Sequence, residues 1–329
     1  MAIDAQLHWQ LLLCVAIVVG SVTASLWTIL RKKKKKDTHA DAVQPWTDGA
    51  ASGFSSSTGA MWRSGVHPAW LLALRATATA ALAAVLLWDL RTYDPTIMMY
   101  YTEWVLSLEI VYFGVATLFS AYGCFVHTEI FPSEQANNES LLLCSSPTEI
   151  KDCADKGAGR CFARFMQIVY QVCGGAVVLT DVVFWAIIVP FISSAHFSFN
   201  AVMGCMHSFN LVFLLAETAL NCLAFPWSGI AYFLLWTCSY VIIQWIVHVC
   251  GLTWWPYPFL NPTAPWSPLW YFSMALLHLP CYIVYWWIAS VKNRHATIFD
   301  FGSLVCEMKK MVVESWIRSA RWGHRGFSD

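Results

Sequence analysis

Charge is what this sequence has least of. Only 12% of its 329 residues are Asp, Glu, Lys or Arg, about half the share found in ordinary soluble domains. The 20 basic and 20 acidic residues cancel, so overall electrostatics give no support to a nucleic-acid partner. Tight metal-ligand spacing is also missing. Cys144, Cys153 and Cys161 with His127 lack the close pairs of zinc sites, and no metal is expected. The 12 cysteines form no evident disulfide framework. Cys173, Cys205, Cys222, Cys238, Cys250 and Cys281 lie inside apolar runs and read as small buried hydrophobes. Gly174-Gly175 reads as a close helix contact rather than a cofactor loop, and no cofactor is expected.

What is there is apolar and aromatic. Hydrophobic residues make up 58% of the chain, with 19 Trp, 20 Phe and 12 Tyr. Trp and Tyr suit the boundary between water and lipid, because each ring pairs an apolar body with a polar tip. A membrane span needs about 20 mostly apolar residues. Windows near 8–30, 69–90, 96–124, 165–192, 200–224, 229–250 and 267–291 meet that need. Lipid offers backbone groups no water, so each span should be helical. The fold class is therefore an all-α polytopic transmembrane bundle, six core helices plus one extra N-terminal helix.

The first window is followed at once by Arg31 and the run Lys32–Lys36, the reverse of a secretory signal. Residues 1–36 read as a retained anchor and 37–67 as a flexible cytoplasmic linker rich in Ser, Gly, Ala and Thr. Residues 68–292 are the six-span domain, and 293–329 a cytoplasmic tail. In that tail Leu304, Val305, Met308, Met311, Val312 and Trp316 fall near helical spacing beside Lys309, Lys310 and Arg318, as in a helix lying on a membrane. With Lys32–Lys36 in the cytoplasm, seven spans put the N-terminus outside or in a lumen and the C-terminus inside. Nearly all other Lys and Arg residues then fall inside, and only Arg91 falls outside. The expected setting is the endoplasmic reticulum or plasma membrane, with Lys32–Lys36 available to anionic headgroups. The sequon Asn138-Glu139-Ser140 lies on the cytoplasmic side and should carry no glycan.

Ionisable groups within spans suggest function. Arg75, Glu103, Glu109, Asp181, His207, Glu217, His248 and His278 qualify. Asp94-Pro95 looks like an N-cap and first helical position, which puts Thr102 about seven residues, or roughly 10 Å, into its helix. Asn200 starts the helix carrying His207, at a similar depth of about 10 Å. Thr102 and His207 can thus share one depth in the outer leaflet. A neutral imidazole can take a threonine proton and make its hydroxyl a nucleophile.

At these residues the chain resembles the androgen-induced and androgen-dependent membrane hydrolases, which cleave fatty acid esters of hydroxy fatty acids. The resemblance runs from about residue 68 to 291. It rests on Thr102 with Tyr112-Phe113-Gly114, Val183-Phe184-Trp185, Met206-His207 with Glu217, then Trp245, His248, Gly251 and Tyr257-Pro258-Phe259-Leu260. The stretch WTCSYVIIQWIVHVCGLTWWPYPFL suggests a plant-type member. The resemblance implies a threonine nucleophile at Thr102, a histidine partner at His207 and a lipid ester substrate. His248, Trp255 and Tyr257 are candidates for substrate binding. Trp254, Trp255, Tyr257 and Trp266 on the outer loop read as interfacial anchors or the lining of a lipid entry path. The group that orients His207 stays open between Asn210, one turn on, and His248 in the next helix; Glu217 is roughly 15 Å further along the same helix.

Two other readings stand beside the hydrolase. One is a haem-binding electron carrier that uses His207, His248 and His278. The other is a transporter or receptor without chemistry, which needs polar residues along the whole crossing rather than in one leaflet.

Overall fold

The computed structural model describes residues 2–40, 68–130, 153–188, 201–221 and 223–295. Side chains are described for 9–34, 69–122, 124, 164–188, 204, 206–221 and 223–292. Expectations for most of the linker, the Asn138 sequon, Asn200 and the tail after 295 lie outside these residues. So do those for the side chains of Lys35, Lys36, His127, Cys144, Cys153, Cys161, Cys205 and Cys222.

Every described element is helical. In chain order these are α1 (Ala2–Ala40), α2 (Pro68–Thr92), a 3-10 turn (Pro95–Met99), α3 (Tyr101–Ile130) and α4 (Cys153–Val183). A π-helical turn (Phe184–Ile188) continues α4. Then come α5 (Ala201–Leu220), a short 3-10 turn (Trp227–Gly229), α6 (Ile230–Val249), another 3-10 turn (Pro258–Leu260) and α7 (Ser267–His295). Six of the helices are long and apolar enough to cross a membrane: α1, α2, α3, α4, α6 and α7. The helix α5 has 20 residues, about 30 Å of rise, although its described apolar stretch is only Met206–Leu220. The all-α polytopic bundle read from the sequence is the observed fold.

The bundle is built around α4, where 72% of the apolar window is buried, against 39% or less in the other five. Two glycines let neighbours approach it. A Cβ on Gly174 would lie 2.7 Å from the Tyr285 ring, and one on Gly175 2.6 Å from Phe233. Close packing is thus what Gly174-Gly175 permits, since without a lipid–protein hydrophobic difference helix association leans on such contacts. Around α4, α2 packs on α3 and α5, while α1 packs chiefly on α6 and α7. The outer surface is apolar, with Leu12, Trp27, Leu118, Val249, Leu269 and Trp287 exposed, as a lipid-facing surface requires.

The two ends of the bundle differ. At one end Lys32 Nζ donates to Ser228 Oγ (2.6 Å) and Lys292 Nζ to Asn221 Oδ1 (2.9 Å). The end of α1, the α5–α6 connection and the end of α7 therefore meet there. At the opposite end lie the start of α3 and the 250–266 loop, in which Gly251 takes φ 123°, a conformation open to glycine.

Buried polar groups toward the first end form a closed cluster. Arg75 on α2 pairs with Glu217 on α5 at 2.6 Å, with both side chains nearly fully buried. Arg75 Nη1 donates to Ser120 Oγ (2.6 Å), and Glu217 also accepts from Tyr112 (3.0 Å) and Asn221 (3.3 Å). Two buried charges hold each other here and their remaining hydrogen-bonding capacity is used, as such a pair demands.

Candidate active site

The start of α3 departs from the sequence expectation. Asp94 does precede a Pro at the first helical position, but it begins the short 3-10 turn, and its side chain makes no capping bond. Tyr100 then adopts extended geometry (φ −82°, ψ 142°), and α3 begins at Tyr101. Thr102 is therefore the second residue of its helix, not two turns inside it. The break is pinned by distant residues: Tyr240 and Gln244 of α6 donate to Met99 O (2.7 and 2.9 Å), and Trp104 Nε1 donates to Met98 O (2.8 Å). This places Thr102 where a helix has backbone N–H groups without helical partners and a favourable field for negative charge.

Tyr257 meets Thr102 there. Its hydroxyl lies beside the Thr102 side chain and the backbone of Tyr101 and Thr102. Burial pushes the Tyr257 phenol up to about 12, with the Thr102 and Tyr101 contacts pulling the other way. The phenol thus keeps its proton at neutral pH and stays a hydrogen-bond donor. The Tyr257 ring is held edge-on to Tyr100 (centroids 5.6 Å apart) and stacks on Phe259 (5.0 Å).

His207 enters from α5. Its ring stacks on Phe184 in the π turn, with centroids 3.7 Å apart and planes 13° from parallel. Single π turns inside helices often mark functional positions. Asp181 of α4 places Oδ1 3.5 Å from His207 Nδ1. That is long for a hydrogen bond, yet neither atom has another partner among the described residues. A carboxylate facing Nδ1 favours the tautomer protonated there and leaves Nε2 free to act as a base. Sequence reasoning listed Asp181 among intramembrane ionisable residues but gave it no role. Its place near the C-terminal end of α4 matches the depth assigned to Thr102 and His207, and that was the available signal.

Thr102, His207 and Tyr257 line one cavity of about 100 Å³. Most of its wall is apolar and comes from α4, α6 and α7, with Ile17, Val18 and Ser21 contributed by α1. A second polar feature was missed in the sequence. His278 Nδ1 lies 2.7 Å from Met274 O, and Nε2 lies 2.9 Å from Thr237 Oγ1, which in turn is 2.8 Å from Tyr101 OH. The carbonyl can only accept, so in the neutral ring the proton is on Nδ1 and Nε2 accepts from Thr237.

Other sequence candidates lie elsewhere. His248 stacks on Trp255 (centroids 4.1 Å apart), and neither residue reaches the cavity wall. Asn210 is fully buried, and its amide bonds nothing described, so it does not orient His207. Glu217 belongs to the Arg75 cluster. Both ring nitrogens of His278 are occupied, which leaves that residue no free haem ligand. Trp254 and Trp266 are exposed beside the loop, as interfacial anchors would be.

In searches of family models, curated proteins and solved structures, nothing matches this chain.

Proposed function

We propose that the protein is an intramembrane hydrolase of lipid esters, with fatty acid esters of hydroxy fatty acids as the substrate class. The observation that carries this reading is the meeting of Thr102, His207 and Tyr257 on one apolar cavity, with Asp181 behind His207. The sequence resemblance points to the same threonine and histidine.

His207 Nε2 takes the Thr102 proton as Thr102 Oγ attacks the ester carbonyl carbon. The resulting oxyanion forms at the first turn of α3, where free backbone N–H groups and the Tyr257 hydroxyl can donate to it. The imidazolium, steadied by Asp181, returns its proton to the departing alcohol. A water molecule, with His207 again as base, then attacks the acyl-threonine carbonyl. The C–O bond to Thr102 breaks, the acid leaves and the threonine proton is restored. The products are one acid and one alcohol per water consumed.

The closed, buried Arg75–Glu217 pair lies further along α5 than His207, which favours a dead-end chamber over a transport path. The charge distribution supports a non-cytoplasmic N-terminus and a cytoplasmic C-terminus in the endoplasmic reticulum or plasma membrane. The test is hydrolysis of a branched fatty acid ester by membranes that contain equal amounts of protein. Thr102→Val keeps the side-chain shape and should remove turnover. Wild-type rates in that variant would show the threonine mechanism to be wrong.

A further inference from the structure

The N-terminal helix looks from its sequence like an anchor, but its inner face reaches the cavity. Cys14, Val18 and Ser25 are buried, Ile17 and Ser21 partly so, while Leu12, Val19, Leu26, Trp27 and Leu30 are exposed. The covered positions recur at helical spacing of three and four and form one stripe. Cys14 and Val18 pack with Cys238 of α6 and Tyr271 of α7. The stripe is fastened at both ends. Cys14 Sγ lies 3.7 Å from the buried Ser267 Oγ, and Lys32 Nζ bonds Ser228 Oγ. Tyr271 is itself fixed by its bond to Leu260 O (2.7 Å) and by the Trp245 indole (2.9 Å).

Between those fastenings Ile17, Val18 and Ser21 line the same cavity as Thr102 and His207. Thr102 belongs to α3 and His207 to α5, whereas α1 packs chiefly on α6 and α7. The cavity therefore runs from the polar groups past α6 and α7 to α1. On the far side of α1 nothing among the described residues stands within 4 Å of where a Gly20 Cβ would be. At this level the chamber wall is one helix thick.

We propose that α1 is the far wall of the substrate chamber, and that Ile17, Val18 and Ser21 set the length of acyl chain the site accepts. This rests on the lipid-ester hydrolase reading. The apolar wall that runs from Thr102 to α1 gives an ester carbonyl held at Thr102 a direction in which to lay a long chain. The helix is then a specificity element as well as an anchor.

The test uses the full chain in membranes. In Ser21→Phe and Ile17→Trp, added bulk shortens the chamber. Hydrolysis of a palmitoyl ester should fall by about tenfold or more relative to a butyryl ester, since a misfit of one methylene already counts for about 10–200-fold. Val19→Phe, on the lipid side, should leave the ratio as in wild type. A ratio unchanged in Ser21→Phe and Ile17→Trp, or shifted equally by Val19→Phe, overturns the proposal. A palmitoyl ether with a diazirine at its chain end separates the two ideas, because it cannot be cleaved. It should label the peptide that holds residues 17–21 in wild type and in Thr102→Val, and a butyryl analogue should not. Such labelling in a protein that cleaves no ester would keep the chamber and remove the hydrolase. Thr102-dependent cleavage with α1 unlabelled would remove the chamber wall and keep the hydrolase.

Discussion

Two groups of buried polar residues share the helix α5, and they are built in opposite ways. Around Glu217 every charge is answered: Arg75, Tyr112 and Asn221 all bond its carboxylate. Around His207, ten residues earlier, bonding is loose. Asp181 stands at 3.5 Å, and both facing atoms lack another partner among the described residues. Saturated buried networks hold helices together, because breaking them strands a charge. Polar groups left underbonded beside a cavity are free to bond something that enters it. The first group thus reads as architecture and the second as chemistry, and substitutions in each should fail in different ways.

The largest effect should come from the loose group. His207→Gln and Thr102→Val should each lower ester hydrolysis by about a thousandfold or more. The double variant should be little worse than either single one, because the hydroxyl and its base act as a unit. Asp181→Asn should follow them less completely. All should melt like wild type in detergent; a large drop in melting temperature would place this group with the architecture instead.

The closed group should show the reverse. Arg75→Met leaves Glu217 buried without its partner, and should destabilise the fold by about 3–5 kcal/mol. Adding Glu217→Leu should recover much of that loss, as read from thermal unfolding in detergent. A single Arg75→Met that unfolds normally but loses turnover would break the division between the two groups.

Tyr257→Phe tests the contact between loop and helix. Removing one donor to an oxyanion commonly lowers kcat by about 10²–10³, so a loss of that size with little change in KM is expected. The pH profile sharpens the same point. Protonated His207 cannot serve as base, so the rate should fall toward acid. Tyr257, raised to about 12, keeps its proton beyond the ordinary tyrosine range of about 10. The rate should therefore show no alkaline fall below about pH 10, and an alkaline fall near pH 9 would take Tyr257 out of the donor role. The smallest effect belongs to Lys32→Ala. Its bond to Ser228 is exposed, and its loss should change stability by about 1 kcal/mol or less.

How much of this could be read from the sequence follows from what each feature depends on. The window at 200–224 proved to be a helix whose described apolar stretch is only Met206–Leu220, while the other six of the seven expected spans depend on local composition and were legible. The start of α3 was not, because Tyr240, Gln244 and Trp104 decide where the chain breaks by taking the Met98 and Met99 carbonyls, and two of these lie in another helix. Thr102 and His207 were paired by depth, and the structure does bring both to one cavity. Asp181 could have been found in the same way, since it lies near the C-terminal end of α4, against His207. Tyr257 lines the cavity whereas Trp255 stacks on His248 beside it, and adjacency in sequence does not tell which of these rings reaches the cavity. The role of α1 was hidden for another reason. In a helix apolar all round, the stripe that faces protein and the stripe that faces lipid have the same composition.

The most direct measurement is covalent. A fluorophosphonate probe applied to membranes should form an adduct that peptide mass spectrometry locates on Thr102. His207→Gln should lose that adduct while remaining folded. Labelling of wild type at another residue, or equal labelling of Thr102 in His207→Gln, would contradict the account of a threonine activated by histidine.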